Sequence, residues 1–86
     1  MKCLKLNAKS TKAAQKAMVE LADLGLKKLH ASTEPLCVVF WEQDKTFLST
    51  NTHEHEPNTI TASSTEFFTK RKEFIAEVKR VLGESK

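Results

Sequence analysis

The amino-acid sequence predicts a small α+β domain of two layers, in which two amphipathic helices pack on one face of an antiparallel or mixed sheet. Three observations support this fold class. Apolar residues recur with a helical period in two separate stretches, residues 10–24 and residues 63–83. Between them, residues 36–41 (LCVVFW) form a continuous run of apolar residues, many of them β-branched or aromatic, which is typical of a central strand. The 86 residues are the length of one domain, and the predicted element order is β-α-(β)-β-β-α.

The first two elements are a short strand and a helix. Residues 2–8 alternate loosely, with Leu4 and Leu6 on one face, which is the two-residue period of a strand. From Ser10 onward the apolar residues follow the helical spacing instead: Ala14, Ala17, Met18, Leu21 and Ala22. Ser10 is the expected N-cap, and Gly25 is expected to terminate the helix in the left-handed conformation. The helix is therefore predicted at residues 10–24.

The middle of the chain is predicted to form a hairpin followed by a polar loop. Residues 26–31 fit either one more helical turn or a short edge strand, and the pattern leaves both open. A turn at residues 43–45 joins the apolar run to a return strand from Thr46 to about Thr52. Residues 51–58 have no apolar period and contain Pro57, which indicates a loop. Residues 59–61 are expected to add a short extended piece.

The last element is predicted to be a helix from residue 63 to Gly83. Ser63 and Glu66 have the spacing of a capping box, and Ala62 and Phe67 have that of a hydrophobic staple. The apolar stripe of this helix would contain Phe67, Phe68, Phe74, Ile75, Val78, Val81 and Leu82. With both helices on one face, we expect the opposite face of the sheet to remain uncovered and apolar.

Charge is distributed unevenly along the chain, whose net charge is +3. Residues 1–33 have a net charge of +5, residues 34–66 of −5 and residues 67–86 of +3. This pattern predicts a molecule with a basic side and an acidic side. Such a charge dipole favours oriented association, either with an anionic partner or head to tail with a second copy.

The uncovered sheet face suggests the first functional hypothesis, a small non-enzymatic protein-binding module such as an inhibitor, adaptor or regulatory subunit, or a homodimer. The expected contact residues are Cys37, Val39 and Trp41, together with Arg71. Arg71 falls within the apolar arc of the last helix, where an unpaired charge is costly. It is expected either to pair with a carboxylate such as Glu42 or with a set of carbonyls, or to bind an anion at a subunit or ligand interface.

Two other kinds of binding remain as alternatives. Nucleic acid would be bound by a basic helical face if the two helices lie side by side, through Lys12, Lys16, Lys70, Arg71, Lys72 and Lys79. A solvated basic face explains the same residues. A metal or small ligand would be bound by His53 and His55, whose rings project to the same side of an extended segment. A solvated polar loop is the simpler explanation of these histidines.

The sequence contains no catalytic constellation. Its two cysteines lack the C-x-x-C spacing of a redox or zinc site, and its two aspartates lie on a helix and in a turn. We therefore expect no enzyme activity and no cofactor. The absence of a long apolar run and of an N-terminal secretory signal predicts a cytoplasmic protein that has no membrane partner.

Overall fold

The computed structural model of the chain describes residues 2–58, 60 and 62–84. Five strands and two helices occur in these residues, in the order β1 (Lys2–Asn7), α1 (Thr11–Asp23), β2 (Lys27–His30), β3 (Cys37–Trp41), β4 (Thr46–Thr50), β5 (Ser64–Phe68) and α2 (Arg71–Glu84). The strands form one mixed sheet in the order β2-β4-β3-β1-β5. The α+β fold class is confirmed, with one strand more than the sequence pattern indicated.

Both helices pack on one face of the sheet, as predicted. The strands contribute to this core the alternate residues that point toward the helices, among them Leu4 and Leu6 of β1 and Phe40 of β3. The helices contribute one apolar stripe each: Ala14, Ala17 and Leu21 from α1, and Phe74, Ile75, Val78 and Val81 from α2. Strand pairs β1–β3 and β3–β4 are antiparallel, whereas β1–β5 and β2–β4 are parallel.

Helix α1 begins and ends as its sequence predicts. The Ser10 side chain accepts a hydrogen bond from the Ala13 backbone N–H, so it caps the first turn. Gly25 follows the helix with φ of 86°, and Leu26 N–H bonds back to the Leu21 carbonyl at 3.4 Å. This is a Schellman end, in which the left-handed position is free of strain only for glycine. Residues 27–30, which the pattern left open, form the exposed edge strand β2.

The prediction for residues 63–70 is wrong. Residues 64–68 form β5, and helix α2 begins only at Arg71, so Ser63 and Glu66 are not a capping box and Phe67 and Phe68 are not part of the helical stripe. The reason is that Thr65, Phe67 and Phe68 suit a strand, and β1 provides a parallel partner that pairs Lys5 with Phe67. Tertiary pairing outweighs a local capping signal that is only a few residues long.

Residues 51–58, the crossover loop, lead from the end of β4 across the sheet face that lies opposite the helices. Asn7 of β1 makes two hydrogen bonds to the backbone of this loop. Its Nδ2 donates to the Glu54 carbonyl at 2.8 Å, and its Oδ1 accepts from the Glu54 N–H at 3.0 Å. Lys5 Nζ donates to the Glu56 carbonyl at 2.7 Å. The loop is thus irregular, as predicted, but fixed to β1. The extended piece predicted at residues 59–61 includes Thr59 and Thr61, which lie outside the described residues.

Candidate functional site: a basic helix face

The two helices run side by side in the same direction. Each follows one of the two neighbouring parallel strands β1 and β5, so both helices begin at the same end of the sheet. Residues just before α1 and in its first turn, such as Lys9 and Ala13, line a hollow of about 510 Å³ together with residues 69–73. At the far end, Leu24 and Gly25 lie near Leu82 and Gly83. The positive ends of both helix dipoles therefore point to one region of the surface.

Basic side chains from both helices surround this region. A second hollow of about 400 Å³ lies on α1 and shares Arg71 with the first. The two hollows together are lined by the basic residues Lys9, Lys12, Lys16, Lys70, Arg71 and Lys72, and by two carboxylates, Glu20 and Glu73. We call this surface the basic helix face. All five lysines are exposed, and the side-by-side helices that the sequence hypothesis required are present.

Arg71 lies between the two hollows and is held by an ion pair. As the first residue of α2 it reaches α1, where its Nη1 donates to Glu20 Oε2 at 2.5 Å. The expected carboxylate partner is therefore correct in kind, but it is Glu20 and not Glu42. Arg71 lies at the N-terminal end of the apolar stripe that Phe74, Ile75 and Val78 form on α2. The two phenylalanines that were expected to extend this stripe before Arg71 belong to β5 instead. With 27% and 41% of the two side chains exposed, the pair fixes a geometry more than it stabilises the fold.

Lys79 does not belong to the basic helix face. It lies two turns further along α2, in a hollow with Leu24, Gly25 and Lys45. The sequence hypothesis grouped Lys79 with Lys70 and Lys72 because all three are in one basic segment, but the helix carries Lys79 to the opposite end. This residue is removed from the candidate site.

The opposite sheet face is not uncovered, which corrects the expectation for Cys37 and Val39. Cys3 and Cys37 are fully buried and Val39 is nearly so, in a cluster that also packs against Ala62. The crossover loop and Ala62 act as the cover that a third layer would otherwise supply. Lys5, only 6% exposed, is part of this layer, with its Nζ 3.6 Å from Glu54 Oε2.

The two thiols in this cluster are poorly suited to nucleophilic chemistry. Burial raises the pKa of Cys3, although the nearby Lys5 charge opposes the shift. Burial likewise raises the pKa of Cys37, against a hydrogen bond from the Glu54 backbone. Both thiols are therefore held in the protonated, less reactive form.

Trp41 is the part of this face that remains accessible. It lines a hollow of about 300 Å³ with Leu29, Asp44, Thr46, Asn58 and Ile60. Leu29 is 53% exposed and Ile60 is 92% exposed, so the rim of the hollow is apolar. Two buried polar atoms in this wall, Trp41 Nε1 and Thr46 Oγ1, have no hydrogen-bond partner among the residues that the structure describes. Such orphaned groups are rare in folded proteins and indicate a missing partner or stored strain.

His53 and His55 are adjacent, but the structure adds no third ligand. Their ring centroids lie 6.1 Å apart, and His53 Nε2 lies 3.0 Å from the Ala8 carbonyl oxygen, where it helps to hold the crossover loop. Within residues 2–58, 60 and 62–84, no group of three or more His, Cys, Asp or Glu is arranged to hold a metal ion. His53 therefore forms part of the loop attachment, and His55 lies against its ring.

Sequence reasoning missed several residues on these two surfaces, because their roles depend on distant parts of the chain. Glu20 gave only the signal of a carboxylate one turn after Lys16. Asn7 and Thr46 read as ordinary polar strand residues, and Leu29 fell in the ambiguous segment. Each acquires its role from a partner on another element, which no local pattern records.

The chain shows no significant similarity to a protein-family model, to a curated protein or to a solved structure. Neither of the two helices in the described part of the chain is long and apolar enough to cross a membrane.

Proposed function

We propose that this protein is a non-enzymatic binding module that holds the phosphate backbone of nucleic acid on its basic helix face. The observation that carries the proposal is the convergence of six basic side chains, from two separate stretches of the chain, around two adjoining hollows. Among the described residues that line these hollows, the acidic ones are Glu20, which is paired with Arg71, and Glu73. A concentrated positive surface of this kind is the electrostatic footprint of a phosphate binder.

The helix geometry adds to the charge. Helix N-termini present unpaired backbone N–H groups and a positive dipole end, both of which favour phosphate oxygens. The Lys9 and Lys70 side chains lie beside these two termini. Lys12 and Lys16 continue along α1 one turn apart, which spaces the cations along a line rather than around a point. A line of cations suits a polymer of phosphates better than one small anion.

The residues that line the two hollows also distinguish between single-stranded and duplex nucleic acid. Of the described residues, none that lines either hollow of the basic helix face is aromatic. Trp41 is on the other side of the sheet, so it cannot stack on bases held here. Because single-strand binders use aromatic stacking platforms, we favour contact with a duplex backbone without base readout.

Salt dependence tests the proposal. Binding of a labelled short duplex of arbitrary sequence is followed by fluorescence anisotropy over a series of salt concentrations. Each phosphate contact adds about 0.9 to the slope of log K against log salt, so K12Q/K16Q is expected to lower that slope by about two. K70Q/K72Q should have a similar effect.

K27Q/K28Q is the matched control, because Lys27 and Lys28 are exposed on edge strand β2 and the change in net charge is the same. It should leave the slope within error of the wild type. If the slope fell by the same amount in all three variants, only the net charge of the protein would matter for binding. An affinity that does not depend on salt would refute phosphate binding altogether.

A further inference from the structure

The two sides of this protein are complementary to each other in charge and in apolar surface. On the helix side, the hollow formed by Lys12, Gln15 and Lys16 contains Val19, which is 61% exposed. On the sheet side, the Trp41 hollow adjoins a second one of about 500 Å³, and both share Trp41, Asn58 and Ile60. Their rims contain the carboxylates of Asp44, Glu54 and Glu56, against which the only cation lining either hollow, among the described residues, is Lys5.

We propose that the occupant of the Trp41 hollow is the basic helix face of a second copy of this chain, so that copies associate head to tail. Lys12 and Lys16 of one copy would face the carboxylates of the next, and Val19 would enter the apolar hollow. The charges of the two hollow groups support this pairing: six basic and two acidic side chains on one side, three acidic and one basic on the other.

Head-to-tail contact follows from the placement of the two surfaces. A symmetric dimer through the Trp41 hollow would bring Asp44, Glu54 and Glu56 against their own copies, which like-charge repulsion disfavours. The helix layer and the Trp41 hollow lie on opposite sides of one sheet. A contact between opposite faces does not close on itself, so the expected products are open stacks whose length grows with concentration.

Sedimentation velocity over a wide concentration range, in the absence of nucleic acid, tests the proposal, which does not depend on nucleic-acid binding. At low salt, the mean mass of the wild-type protein should rise continuously with concentration, and high salt should reverse the rise. Two variants each disable one side: K12Q/K16Q on the helices and D44N/E56Q at the hollow. Alone, each should remain monomeric at concentrations where the wild type forms stacks.

Mixing these two variants gives the decisive result. Each retains one intact surface, so an equimolar mixture should form a dimer and nothing larger. The control K27Q/K28Q should form stacks like the wild type. Head-to-tail contact would be refuted if the protein formed a dimer that D44N/E56Q abolishes and K12Q/K16Q leaves intact. Association itself would be refuted if the wild-type protein were monomeric at every concentration.

Discussion

The Glu77 carboxylate contacts Arg80 on its own helix α2 and Lys2 on strand β1. Arg80 donates to it through Nε at 2.5 Å and Nη2 at 2.6 Å, and Lys2 Nζ of β1 approaches within 3.5 Å. The hydrogen bonds from Arg80 lower the pKa of Glu77 from 4.5 to about 2, against the opposing effect of burial and with added help from the Arg80 and Lys2 charges. The ionised form is therefore favoured by folding.

This shift predicts an acid-sensitive contribution to stability. A carboxylate whose pKa is lower in the folded state stabilises the fold above its unfolded pKa, and that contribution is lost as pH falls from about 4.5 to about 2. E77Q should be less stable than the wild type at neutral pH, and the difference should shrink through this window. Urea unfolding at a series of pH values measures it. A difference that stays constant down to the lowest pH would show that Glu77 acts by packing alone.

Single residues were predictable where their role is local. Ser10 caps α1 and Gly25 ends it because both signals lie within a few residues of the helix they control. Arg71 was predicted to need a partner, with a carboxylate as one of the alternatives, since the cost of an unpaired buried charge can be read from a sequence pattern. Which carboxylate, Glu20, depends on how α1 and α2 pack, and that information is absent from either segment alone.

The same substitution, glycine to alanine, should have opposite effects on stability at Gly25 and Gly83, because the two residues have different backbone conformations. Gly25 has φ of 86°, whereas Gly83 lies within α2, and a Cβ atom at either position would meet nothing within 4 Å. Gly25→Ala should therefore destabilise the protein by about 1–2 kcal/mol, because only backbone strain changes. Gly83→Ala should stabilise it by up to about 1 kcal/mol, from helix propensity. Thermal unfolding of both variants checks that one loses and the other gains stability. If both variants changed stability by the same amount, the assigned backbone conformations would be wrong.

Elements were predictable when their periodic pattern was long. The apolar stripe of α1 and the run of β3 were both located to within one or two residues. Strand β5 was missed because its five residues are compatible with a helix start as well as with a strand. Its pairing with β1, between residues as far apart as Lys2 and Ser64, decides the outcome. A local pattern does not contain a partner so distant in the chain.

The covered sheet face depends on the attachment of the crossover loop. Asn7 makes two hydrogen bonds to the Glu54 backbone, and beneath this loop Cys3 and Cys37 are fully buried. Asn7→Ala should therefore allow the loop to open more often. Since each lost hydrogen bond contributes about 0.5–1.5 kcal/mol, the rate of thiol labelling should rise by about fivefold or more.

Labelling of the native protein with a thiol reagent, with total thiol counted in urea, measures this opening. Asn51→Ala is the control, because Asn51 is exposed at the start of the same loop. It should leave the labelling rate unchanged. Rapid labelling of the wild type, at the rate seen in urea, would show that the loop does not cover the thiols.

At the scale of the whole molecule, the sequence pattern predicted the helix layer and the sheet, but not that the crossover loop covers the second face of the sheet. Counting two amphipathic helices against one sheet correctly placed both helices on one face. The same count left the other face open, because a polar loop was assumed to project into solvent. The loop instead crosses the sheet, since β4 and β5 lie on opposite sides of β3 and β1 and the chain must connect them. Connectivity of this kind follows from strand order, which the sequence does not reveal.

The parallel pairing of β1 with β5 also sets an order for folding. The β3–β4 hairpin joins residues as near as Trp41 and Thr46, so it closes at little entropic cost, whereas β5 must wait for a contact with the opposite end of the chain. Helix α2 follows β5 after two residues; it supplies Arg71 and Lys72 to the basic helix face, and Lys70 comes from the short link before it. We therefore expect that surface to be completed late in folding, and a chain that has folded only its hairpin and first helix would have half of it.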